Sequence, residues 1–233
     1  MISNAEIRAE ARRMLKGRWK DAVLMNLVPT LIGIAIFLII AIPTILFFKN
    51  NWSDIANSTS DALNQRNSSG SSGTSSNSSG LITNFFVVGI SWTFLDVLRG
   101  EKDKIEPFRD VFRVFHSPYL LATFLLYLLQ TLFTVLWTLL FIIPGIIKGY
   151  SYSQTYFIYY DTYKETGQTP GYLDTITASR RLMDGYKGQL FFLDLSFIGW
   201  AILCMLTFGI GFLWLQPYMN ASKAAFYDHL PKE

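Results

Sequence analysis

Asp194 lies about two turns inside a stretch, Gly188 to Ser222, that holds no other charge. An ionised carboxylate at such a place is costly and must face other helices. There it can bind a proton or a cationic ligand, or act as an interface acid paired with Lys187 or a neighbouring arginine. Tyr152, Tyr156, Tyr159 and Tyr163 recur at intervals of 4, 3 and 4, one face of a helix. Their hydroxyls can line a polar cavity, or their rings can pack between helices and anchor at an interface. Arg12-Arg13 and Arg180-Arg181 can clamp anionic lipid headgroups, at about 1 kcal/mol per basic residue near the surface. Asp96, Asp161 and Asp228 recur at helix ends and are expected to pair with those arginines, locking parts of the chain together.

Catalytic patterns are missing. The sequence has no H-E-x-x-H, no G-x-S-x-G, no Walker A lysine loop and no dinucleotide glycine fingerprint. His116 and His229 stand far apart, and Cys204 is the single cysteine. The expectation is therefore no metal, no cofactor, no intrachain disulfide and no enzyme activity.

The elements that position these residues follow from composition. Of 233 residues, 51% are hydrophobic and only 16% charged, with a mean hydropathy of +0.28. Soluble domains carry about 25% charged residues. This excludes a soluble enzyme, a disordered regulator and a nucleic-acid-binding domain, and predicts an all-α multi-pass membrane protein. Apolar runs at Ala22–Phe48, Leu81–Leu98, Ser117–Ile147, about 146–163, and Gly188–Ser222 divided at Thr207–Gly211 give six crossings. The fourth is the weakest, interrupted by Lys148.

Charge placement orients them. With both termini cytoplasmic, 17 of the 20 Lys and Arg fall inside; Lys49, Arg66 and Lys148, at the outer end of the fourth span, fall outside. The charged, helix-patterned N-terminus does not read as a cleavable signal peptide. Residues 50–80 are rich in Ser, Asn and Gly and predict a flexible extracytoplasmic loop.

An internal repeat runs through the single membrane domain: unit 1 at 1–98, unit 2 at 105–165, unit 3 at 169–230. Arg12-Arg13-Met14-Leu15-Lys16-Gly17 parallels Arg180-Arg181-Leu182-Met183-Asp184-Gly185, and Arg113 to Ser117 holds the same place in unit 2. Phe94-Leu95-Asp96-Val97-Leu98-Arg99 parallels Tyr159-Tyr160-Asp161-Thr162-Tyr163-Lys164 and, more loosely, Phe226-Tyr227-Asp228. Each unit reads as a short cytoplasmic amphipathic helix followed by a membrane hairpin. The first helix opens on a capping box, Ser3 and Glu6, and sets Ile7, Ala11, Met14 and Leu15 on one face. Ile105, Phe108, Phe112 and Phe115 form the second stripe. Thr169-Pro170 opens the third helix, with Tyr172, Ile176 and Met183 inward. Units of one orientation imply parallel repeats about an axis near the membrane normal.

The stretches Pro144–Ser153, Ser179–Gly185, Leu195–Trp200 and Gly209–Tyr218, with Lys16-Gly17-Arg18-Trp19, resemble the DUF975 family of bacterial integral membrane proteins. The resemblance implies a multi-pass protein of a bacterial plasma membrane and brings no activity or functional residues. Two functions stay open: a small transporter, channel or lipid-handling protein using a cavity among the units, or a non-transporting scaffold such as an assembly partner or envelope-stress factor. Expected partners are membrane lipids and an unknown membrane protein, with no nucleic acid.

Overall fold

A computed structural model describes residues 2–65, 79–116 and 118–231. It is 82% helix, and the described residues contain no strand. The helices are α1 (Asn4–Leu15), α2 (Trp19–Gln65), α3 (Ser79–Leu98), α4 (Pro107–Val111), α5 (Tyr119–Leu140), α6 (Ile142–Tyr152), α7 (Thr155–Thr166), α8 (Tyr172–Leu182), α9 (Lys187–Leu206) and α10 (Phe212–Asp228), with a 3-10 turn at Arg113–Phe115.

Three helices have the length and apolar character to cross a membrane: α2 over Trp19–Trp52, α5 and α9. A shorter apolar helix spans Asn84–Leu98. Their large side chains face outward, among them Phe37, Ile39, Leu121, Leu139, Phe192 and Leu206. Water penalises a continuous apolar surface of this kind, whereas lipid solvates it. The long α2 runs through Pro29 and Pro43 and on to Gln65. The first part of the Ser/Asn-rich stretch thus continues the helix; residues 66–78 of it lie outside the described residues.

The densest core sits at the other end of the bundle, where the short helices dock. The Ser3 backbone N–H donates to Glu6 Oε2 (2.7 Å) and the Glu6 N–H to Ser3 Oγ (3.3 Å), so α1 begins on the expected capping box. Ile7, Ala11, Met14 and Leu15 are all buried. This face lies against α10 and α9, and Asn4 Nδ2 and Gln189 Nε2 tie the two chain regions through the carbonyls of Gln189 and Ile2. In the same sense α4 packs on α3, and α8 on α7. The short helices α4, α8 and α1 thus pack on α3, α7 and α10, with α4 lying more extensively still on α2.

Two local expectations change. The second amphipathic stripe leaves Phe108, Phe112 and Phe115 exposed and buries Asp110, Val111 and Val114 instead. The cause is that α4 ends after five residues and a 3-10 turn follows, which shifts the phase of the stripe. The start of the third short helix is Gly171, two residues beyond Thr169, although Ile176 and Met183 are buried as expected.

Gly17 and Gly185, which end the matching double-arginine stretches, both adopt left-handed backbone (φ 84° and 81°). A side chain is strained there. Gly89 allows close approach of α3 and α4: a Cβ would meet Val114 Cγ2 at 3.1 Å and the carbonyl oxygens of Asp110 and Val111 at 3.3 Å. Gly89→Val is expected to cost about 2 kcal/mol, seen as a lower thermal midpoint in detergent. An unchanged midpoint would show that α4 shifts freely.

Candidate functional site

Helices α3, α7 and α10 converge at their C-terminal ends on a network of ions and rings. Arg99, one residue beyond α3, donates from Nη1 and Nη2 to both oxygens of Asp161 (2.7 and 2.8 Å) and from Nε to Asp228 (2.7 Å). The Asp161 hydrogen bonds hold the guanidinium above its already high ordinary pKa, outweighing burial. Asp96 accepts from Arg113 Nη1 (2.7 Å), from the Tyr160 hydroxyl (2.9 Å) and from Lys164 Nζ (3.3 Å). Lys164 also pairs with Glu101.

The network has a rotational pattern. Tyr160, just before Asp161, donates to Asp96; Tyr227, just before Asp228, donates to Asp161 (2.9 Å). Trp92, four residues before Asp96, stacks on Tyr160 (5.0 Å, 18°), and Phe157, four before Asp161, stacks on Tyr227 (4.8 Å, 14°). At the third junction the matching residues are Leu95 and Ala224, both buried and neither able to donate. There Arg99 supplies the bond to Asp228 instead.

The three aspartates thus tie α3, α7 and α10 together, with partners other than the expected arginines. Among the described residues, Arg12, Arg13, Arg180 and Arg181 have no carboxylate within ion-pair distance, and all four are exposed. Their place at the ends of α1 and α8 turns them away from the converging helices. The pairing cations are Arg99, Arg113 and Lys164. The sequence carried a signal for two of them, since Arg99 and Lys164 each follow an aligned aspartate by three residues.

A separate cavity of about 320 Å³ lies between α3, α6, α7, α9 and α10. Its polar lining includes Asn84, Gln154, Tyr156, Asp194, Asn220 and Lys223. Asp194 is paired with Lys223 (3.2 Å), not with Lys187, which pairs with Asp184. Lys223 sits opposite Asp194 because α9 and α10 run antiparallel from the turn at 207–211. Among the described residues the buried Gln154 Oε1 in this lining has no hydrogen-bond partner, while the Tyr156 hydroxyl faces Asn84 and Asp194 Oδ1 is held by the Lys223 ion pair. An unpartnered buried atom is costly unless water or a ligand meets it.

Of the four spaced tyrosines, only Tyr156 lines this cavity. Tyr152 and Tyr159 are buried with Ala122, Leu126 and Ile176, and Tyr163 packs at the edge of the same cluster. All four nonetheless join one cluster across the break at Ser153-Gln154 between α6 and α7, Tyr156 packing against that cluster as well as lining the cavity. Lys148 also moves. It shares a cavity with Arg180, Arg181 and Lys187, which the charge count had placed on the opposite side.

An all-helical bundle with lipid-matched outer helices and a polar inner cavity has the character of an unspecified membrane protein. The family model described as "Protein of unknown function (DUF975)" matches residues 1–151 and 139–233, and the chain belongs to this family. No curated protein and no solved structure matches it.

Proposed function

We propose that the protein is a six-span bacterial plasma-membrane protein of three repeated hairpin units, both termini cytoplasmic, that handles a small polar ligand in the cavity around Asp194. The reading covers a small transporter, a channel or a lipid-handling protein, and involves no covalent chemistry. What carries it is the cavity: helices of all three units bound it, the Asp194–Lys223 ion pair lines it, and its buried Gln154 Oε1 has no partner among the described residues. The docking of α1, α4 and α8 on α10, α3 and α7 supports the repeats. Lys148 beside Arg180 strengthens the inside bias of the charges.

Cysteine labelling tests both parts. In a Cys204→Ala background, Ser153→Cys is expected to react with a water-soluble maleimide, while a cysteine at buried Leu193 is not. Failure at Ser153 would favour the non-transporting scaffold. Asp174→Cys is expected to label from the cytoplasm; labelling only from outside would overturn six spans. In proteoliposomes with an entrapped pH dye, Asp194→Asn is expected to cut proton flux by roughly tenfold or more, the discrimination that a lost buried charge contact gives. Equal flux would remove Asp194 from the mechanism.

A further inference from the structure

A second cavity, of about 380 Å³, lies where the end of α8 and the start of α9 meet α6. It is lined by Lys148, Arg180, Arg181 and Lys187, by the hydroxyl residues Ser151 and Thr177, and by Asp184. Four cations thus face one carboxylate, and that carboxylate is engaged with Lys187 (3.2 Å). Lys148, Arg180 and Arg181 have no acidic partner among the described residues. Lys148 is held in place by its ammonium over the Trp137 ring (4.7 Å), and α8 is pinned by the Ser179 hydroxyl on the Ser151 carbonyl (2.8 Å).

Like charges gathered without counter-charge repel, and the arrangement is favourable only when an anion enters it. Two guanidinium forks and two ammonium groups with adjacent hydroxyls suit the oxygens of a phosphate group. The setting is half apolar as well. Ile147 beside Lys148 on α6, and Phe191 and Phe192 one turn beyond Lys187 on the apolar, membrane-length α9, are exposed.

We infer that this cavity binds a phosphate group, that of an anionic lipid headgroup with its acyl chains along α6 and α9, or that of a soluble phosphate. The site is distinct from the cavity around Asp194 and does not depend on what that cavity carries.

The full chain, extracted from vesicles of equal phosphatidylglycerol and phosphatidylcholine, is expected to retain phosphatidylglycerol selectively in native mass spectrometry. Lys148→Gln/Arg180→Gln/Arg181→Gln is expected to weaken that retention about tenfold or more. Lys16→Gln/Arg18→Gln/Lys20→Gln removes the same charge from another surface and is expected to leave it unchanged. Displacement of the lipid from the wild-type chain by millimolar inorganic phosphate would identify the soluble source and still support the site. Equal retention in both triple variants, equal loss in both, or no preference between the lipids with no phosphate binding would overturn it. Should the first variant fail to fold, the wild-type phosphate and lipid preferences decide alone.

Discussion

Arg99→Gln is expected to cost about 3 kcal/mol, the lower end of what breaking a buried ion pair costs. In a chain of this length that is a fall of about 6–12 °C in the thermal midpoint. The Arg99 side chain is 19% exposed and that of Asp161 11%, so removing the cation strands a carboxylate with little access to water. Asp161 would keep the Tyr227 hydroxyl and lose both prongs of the guanidinium. The Asp228 contact adds less, because that carboxylate is 26% exposed and solvent screens it. Arg99→Lys is expected to recover under half of the loss, since an ammonium cannot reproduce the two-pronged contact and reach Asp228 as well. Arg99→Gln/Asp161→Asn is expected to be more stable than the two single changes summed, because the second change removes the stranded charge. A loss under about 1 kcal/mol for Arg99→Gln would show an ordinary surface pair. In that case α3, α7 and α10 would be held by apolar packing.

Period and capping rules reached the elements whose neighbours are local. The α1 face was legible because Ser3 and Glu6 cap it and Ile7, Ala11, Met14 and Leu15 repeat at helical spacing, and all four are buried. The aligned aspartates were legible as joints between helix ends. Their cations were legible only in part: Arg99 and Lys164 each follow an aligned aspartate by three residues, but the choice between Arg12 and Arg99 depends on which surface each helix turns inward. Sequence spacing within one helix does not contain that. The tyrosine face was legible as a packing face, since all four rings join one cluster, whereas Ser153-Gln154 carries no proline or glycine to announce the break between α6 and α7. Lys148 was misplaced because counting charges along a span assumes each residue's depth from its order. The neighbours that define its surroundings, Arg180 and Lys187, come from another unit.

Trp92→Ala is expected to be the most damaging single substitution, at about 4 kcal/mol, in the range for buried aromatic truncations. Trp92 is fully buried, stacks on Tyr160, contacts the Tyr119 ring at 5.2 Å and donates its indole N–H to the Tyr156 carbonyl (3.0 Å). Its loss removes the stack that fixes the Tyr160 ring, and with it the aim of the hydroxyl at Asp96. Trp92→Phe keeps a ring on Tyr160 and forfeits the hydrogen bond, so its cost should be about 1 kcal/mol. The difference between the two measures the stack. Phe157→Ala provides the parallel at the next junction, where the same offset places Phe157 on Tyr227 above Asp161. If the junctions are physically equivalent, Tyr160→Phe should lose most of its effect in Trp92→Ala, and Tyr227→Phe likewise in Phe157→Ala, each pair being coupled through one ring. Trp92 also borders the polar cavity, so Trp92→Ala should speed maleimide labelling of Ser153→Cys, while Phe112→Ala, away from the cavity, should not. Additive losses at one junction and coupled losses at the other would mean that the sequence repeat is not a repeat in energy. The three ends would then be held chiefly by Arg99, whose two carboxylate partners lie on α7 and α10.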